Sequence, residues 1–128
     1  MGIAMSEFRN NTAPFSKKRL RAYARINLEG EVFIHNEEDL YVAPLNNLSA
    51  GGCFVDQLNT LPQGSEVKVI VKSARLQNPI QAAGVIVRVE DSQRKGSAIE
   101  FTSLNAQSRE EIQTLVYENK IQNVLKVM

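Results

Sequence analysis

The chain has no tryptophan, one histidine (His35), one cysteine (Cys53) and only eight aromatic residues, five Phe and three Tyr, among 128. Each scarcity excludes something. A single cysteine cannot close an intrachain disulfide or supply a thiolate pair to a metal, which suits a reducing compartment and leaves Cys53 as a small apolar residue in a strand. A lone histidine with no acid, base or nucleophile in its pattern supports neither general acid–base chemistry nor a Cys–His pair, so no enzymatic activity is expected. Few and scattered aromatics offer no stacking platform, which counts against a barrel that binds single-stranded nucleic acid and against DNA as a partner. No apolar run approaches the ~20 residues that span a bilayer, and the N-terminus lacks a secretory apolar region. A cytoplasmic protein without membrane insertion is expected. Glu37-Glu38-Asp39 lacks the glycine-centred spacing of a calcium loop, so no metal is expected either.

What is present is unevenly distributed. The formal charge is +1, yet Arg9 to Arg25 hold six basic residues and no acidic one, so the rest of the chain is net −5. A basic arm on a mildly acidic body predicts an anionic partner for the arm. With 43% apolar residues in 128, the chain can bury one core and no more.

Residues 1–16 show no periodicity and read as a flexible N-terminal tail. From Arg25 the pattern alternates, with Ile26, Leu28, Val32 and Ile34 on one face and Asn27, Glu29, Glu31, Phe33 and His35 on the other, the period of a half-buried strand. Asn36 to Asp39 reads as a turn, Leu40 to Leu45 as an extended run that Pro44 marks as an edge strand or ends, Asn46 to Gly52 as a second turn, and Cys53 to Val55 as a short apolar strand. Val67, Val69 and Val71 alternate with Glu66, Lys68 and Lys72. Ile80 to Val89 is a longer strand, Asp91 to Gly96 a charged turn, and Ser97 to Phe101 a final short strand. About six strands at this spacing predict a small antiparallel barrel or sandwich. The period then changes. Ser108-Arg109-Glu110-Glu111 reads as a capping box opening an amphipathic helix with Ile112, Leu115, Val116, Tyr117, Ile121, Val124 and Met128 at helical spacing. Its first half is expected to pack on the strands, while for the segment after Lys120 packing on the barrel and a dimer or partner surface are both open readings.

Two short patterns carry chemistry. In Arg21-Ala-Tyr-Ala-Arg25 the two arginines lie four apart, on one side of a strand or a helix alike, so their guanidinium forks can converge on one phosphate or on the O6/N7 edge of guanine. In Asn47-Leu-Ser49-Ala-Gly51-Gly52 an amide and a hydroxyl flank two residues without Cβ, where backbone N–H groups can approach a ligand closely. Either pattern alone is common and reads equally as a solvated arm or an ordinary glycine turn.

In this order, about 22 residues apart and followed by the closing Gly96-Ser-Ala98-Ile99-Glu100-Phe101, the pair resembles the PilZ domain family of bacterial cyclic di-GMP receptors. The resemblance spans residues 17 to 118. It implies a mainly β fold, a six-stranded antiparallel β-barrel over residues 17–103 that carries the arginine arm, with a C-terminal α-helix over 104–128. It implies that Arg21 and Arg25 grip guanine edges and phosphates of cyclic di-GMP, while Asn47, Ser49 and Gly52 hold a second guanine and its phosphate. Arg19, Leu20 and Gly51 are further candidates. Two positions depart from the commoner pattern. Asn47 stands where many relatives have Asp, and a carboxamide oxygen accepts on one side only. Leu20 stands where an arginine is associated with a stacked pair of ligands, which favours one ligand per site. The implied function is a receptor that orders its arm on binding and signals to an effector protein, as a monomer or homodimer. The alternative is an adaptor of the same fold that binds no nucleotide.

Overall fold

The computed structural model describes residues 24–93 and 95–126. Among the described residues the order is β1 (Ile26–Asn27), β2 (Glu31–Asn36), β3 (Asp39–Ser49), β4 (Gly52–Asp56), β5 (Glu66–Lys72), β6 (Ile80–Asp91), β7 (Lys95–Leu104) and the helix α1 (Ala106–Lys126). Every pairing is antiparallel, and the neighbours β3-β2-β5-β6-β7-β4 close into a ring because β4 also pairs with β3. Closure leaves the six long strands no open edge.

The two-residue β1 does not add a seventh stave. It pairs with β3 alone, Ile26 opposite Leu48 and Asn27 opposite Asn47. The ladder continues through the break before β2: Leu28 N–H donates to Asn46 O at 3.3 Å and Leu45 N–H to Gly30 O at 2.9 Å. β1 and β2 are thus one bent strand along β3, and the fold is the expected six-stranded barrel with a C-terminal helix.

The alternation read from the sequence is the alternation observed. Ile26, Leu28, Val32 and Ile34 are buried, as are Val67, Val69 and Val71, while Lys68 and Lys72 face solvent. With Leu48, Val55, Ile80, Ile86 and Ile99 these residues fill the barrel. Each such side chain removed from water contributes roughly 1.5–3 kcal/mol. The buried Ser97 keeps a partner, its hydroxyl donating to Leu58 O at 2.6 Å.

Four local expectations are corrected. Asn46 to Ser49 are not a turn: β3 runs on to Ser49, because Leu48 is a core residue and a bulge at Asn46 restores the inward register between Leu45 and Asn47. Pro44 does not end the strand. Leu45 N–H faces β2, so the N of Pro44 faces the other side, where pairing with β4 begins only at Leu45, and no ladder bond is lost.

The helix does not open on Ser108. Asn105 is its cap, the side-chain Oδ1 accepting from Ser108 N–H at 2.7 Å, and Ser108 is buried one turn inside. Glu111 turns away from the helix start and accepts from the backbone N–H groups of Gln77 and Asn78, which ties the β5–β6 connection to the helix.

The single apolar stripe is two stripes. At 100° per residue, Ile112 and Leu115 fall on one side of α1 and Tyr117, Ile121 and Val124 on nearly the opposite side. The first pair is buried against the barrel, whereas Tyr117 and Val124 are 64% and 54% exposed. Twenty-one residues make a helix of about 30 Å. Its last two turns lie exposed. No helix among the described residues is long and apolar enough to cross a membrane.

Candidate functional site

The site is built on the outer wall of the barrel where β3, β4, β7 and β6 lie side by side. Registry across these strands sorts the side chains. Leu48, Cys53, Ile99 and Ile86 face the core in one row. Beside it, on the outward face, runs the row Asn27, Asn47, Phe54, Ala98, Arg88, and one step further Ser49, Gly52, Glu100, Val85. Residues opposite one another in antiparallel strands share a face, so these two rows present a single surface.

A cavity of about 440 Å³ opens on that surface, lined among others by Arg25, Asn47, Ser49, Gly52, Arg88 and Glu100. This lies within the usual range for small-molecule sites. Arg25 reaches it from the residue before β1, and its side chain is exposed. Arg25 of the first sequence pattern is therefore brought to the same place as Asn47, Ser49 and Gly52 of the second. Arg19, Leu20 and Arg21 lie outside the described residues.

The Ser49-to-Gly52 turn is held by its own serine. Ser49 Oγ accepts from Gly51 N–H at 3.1 Å and donates to Gly52 O at 3.3 Å, so the hydroxyl shapes the turn before any ligand is present. Gly52 also has a packing duty that the sequence does not reveal. A Cβ built there would sit 2.1 Å from Ile99 O, so β4 can approach β7 only with glycine at this position. The bulge residue Asn46 organises the amide of Asn47: Asn47 Nδ2 donates to Asn46 Oδ1 at 3.1 Å, and Asn46 Nδ2 donates to Asp56 Oδ2 at 3.2 Å. The Oδ1 of Asn47 is left as its acceptor.

Three cavity residues were missed from the sequence. Arg88 sits on β6 beside a second bulge that inserts Val87. Its guanidinium lies 5.8 Å from the ring centroid of Phe54, which is buried although it is on the outer face, and its Nε pairs with Glu90 at 2.9 Å. Glu100 stands across from the bare Gly52. No local pattern marks Arg88 and Glu100, since they meet Asn47 and Ser49 only through strand pairing over sequence distances of about forty residues or more.

Cys53 lines the same cavity from beneath but is buried. Burial alone pushes its thiol from 9.0 up to about 12. The native protein is expected to resist thiol-specific reagents at pH 8 and to react fully once denatured; rapid labelling of the native state would overturn that. Because the folded pKa is raised, the stability linked to this thiol is intact below about pH 9 and is lost as pH rises toward 12. His35 is exposed on β2 between Leu40 and Lys68 and does not meet the core-facing Cys53. Among the described residues no group of three His, Cys, Asp or Glu could hold a metal ion.

The family model for the PilZ domain matches residues 19–118. Comparison with curated proteins finds no sequence match. Among solved structures, the chain is similar to the Bacillus subtilis inhibitor of motility MotI/DgrA, with a TM-score of 0.69 and 20% identity over 78% of this chain and 51% of that one. The chain thus spans about half the length of the motility inhibitor. It is also similar to the PilZ domain of YcgR from Escherichia coli, solved with c-di-GMP, with a TM-score of 0.58 and 13% identity over 82% of this chain and 95% of that one. The MrkH–c-di-GMP complex of K. pneumonia gives a TM-score of 0.65 and 13% identity over 90% of this chain and 57% of that one.

Proposed function

This chain belongs to the PilZ domain family, and we propose that it is a receptor for cyclic di-GMP that signals through its N-terminal arm and helix α1. The observation that supports this most directly is the convergence of Arg25 with Asn47, Ser49 and Gly52 around one cavity, with a second guanidinium, Arg88, on its far wall. Two planar forks suit a ligand with two phosphates and two O6/N7 guanine edges, whereas the Asn47 oxygen suits a base N–H. Arg21 extends the same set from the arm. YcgR and MrkH, whose barrels are similar to this one, were solved with that ligand.

The route from site to partner begins at the residue next to Arg25. Ala24 lies in a small cleft with Ala50, Ile112, Val116, Tyr117 and Lys120, between the Ser49–Gly52 turn and α1. Drawing Arg25 onto the ligand moves Ala24 within this cleft and biases the helix whose exposed apolar residues beyond it, Ile121, Val124 and Leu125, are left for a partner. An effector protein reads that face and the ordered arm.

Calorimetric titration with cyclic di-GMP, cyclic di-AMP and GTP, paired with amide exchange, tests this. Saturable binding of cyclic di-GMP alone, with slowed exchange at residues 10–25 and in the first turns of α1, is the expected result. Absence of heat at ligand concentrations far above those of the protein would refute the receptor and leave the nucleotide-independent adaptor. Binding without any change in exchange would refute the arm as the signal.

A further inference from the structure

We infer that Glu100 is the carboxylate that reads guanine in this site, taking the part that Asn47 cannot play alone. The inference rests on the cyclic di-GMP reading above. Glu100 lines the cavity and is exposed, and it makes no side-chain hydrogen bond or ion pair with any described residue. It lies directly across β4 from Ser49, with only the bare Gly52 between them. Two strand spacings separate Ser49 from Glu100, about 10 Å, and the missing side chain at Gly52 leaves that span open for one base.

A carboxylate in the wall of a cavity that carries two guanidinium groups works against a phosphate placed beside it. Its chemistry fits N–H donors. The Watson–Crick edge of guanine presents two parallel donors, N1–H and N2–H, matched to the two oxygens of one carboxylate. The same edge of adenine presents an acceptor at N1, which a carboxylate repels. Asn47 does not supply that pair of oxygens: its Nδ2 is committed to Asn46 Oδ1, and a carboxamide has a single acceptor atom. Glu100 therefore restores the charge that the amide lacks, from a strand that contributes nothing to either arginine- or asparagine-containing pattern. Specificity for guanine over adenine follows from Glu100, while Arg25 and Arg88 hold the phosphates.

The test is calorimetric titration of the full chain and of Glu100→Gln, Asn47→Asp and the double variant with cyclic di-GMP and cyclic di-AMP. Glu100→Gln should weaken cyclic di-GMP binding roughly ten- to a hundredfold, the scale of one charge-assisted hydrogen bond pair, while cyclic di-AMP, which is not expected to saturate the unaltered chain, should bind no worse than before. Adding Asn47→Asp should recover most of the loss, and thermal melts should be unchanged because Glu100 has no partner to lose among the described residues. If Glu100→Gln binds cyclic di-GMP as tightly as the unaltered chain or more tightly, Glu100 does not read guanine, although the receptor stands. If the unaltered, folded chain fails to bind cyclic di-GMP at all, the receptor falls and this inference with it.

Discussion

Arg25→Ala is expected to weaken cyclic di-GMP binding on the order of a hundredfold while leaving the thermal midpoint where it was. The two halves of this expectation come from different observations. Arg25 is exposed and makes no hydrogen bond or ion pair with a described residue, so its removal breaks no such contact among the described residues. It also stands at the edge of the cavity, where a guanidinium can engage a phosphate or a guanine edge through two parallel N–H donors, a contact on the scale of 1.5–3 kcal/mol for a charged hydrogen bond. Arg25→Lys should recover only part of the loss, because an ammonium neutralises a phosphate but has no fork. Titration of the three proteins at one fixed salt concentration decides the matter, since phosphate contacts weaken as salt rises. Equal affinity in all three would remove Arg25 from the site.

The second large effect is structural. Gly52→Ala is expected to cost about 3 kcal/mol or more and to lower the thermal midpoint by on the order of 10 °C. The new methyl carbon would lie 2.1 Å from Ile99 O, and both groups are backbone-fixed, so β4 must move away from β7 at its first residue. That displacement also opens the turn that Ser49 closes on Gly52 O, so ligand binding should fall together with stability. Gly64→Ala serves as the comparison. A Cβ there meets nothing within 4 Å, but its φ of +95° is unfavourable for alanine, so only a backbone penalty of roughly 1 kcal/mol is expected. Denaturant melts of the two variants measure the contrast. If Gly52→Ala melts with the unaltered protein, the close approach of β4 to β7 is not what requires glycine.

The same residue illustrates what was legible in the sequence and what was not. Gly51-Gly52 was visible as a place where backbone is exposed for a ligand, because two glycines beside a hydroxyl have a recognisable local chemistry. That Gly52 is required by a carbonyl on a strand 47 positions later was not visible, since no local pattern encodes it. Alternation in β2 and β5 was legible because a period of two is written in consecutive residues. The continuation of β3 through Asn46–Ser49 was hidden because a bulge breaks that period for one residue and polar Asn-Asn imitates a turn. Helix α1 was legible as a helix, but its cap and the division of its apolar residues were misassigned. Asn105 competes with Ser108 for the cap, and only contact with the barrel separates Ile112 and Leu115 from Tyr117 and Val124.

By itself, then, the sequence determined the strand periods, the terminal helix, and the two short patterns by which the chain resembles the PilZ domain family, because each is written within a few adjacent residues. Tertiary structure alone decided that Arg25 and Asn47 share one cavity, that Arg88 and Glu100 complete its walls, and that half of α1 faces outward. Those facts depend on which strands become neighbours when the barrel closes, and hydrogen-bonded register across a ring of six strands joins residues that no window of sequence contains.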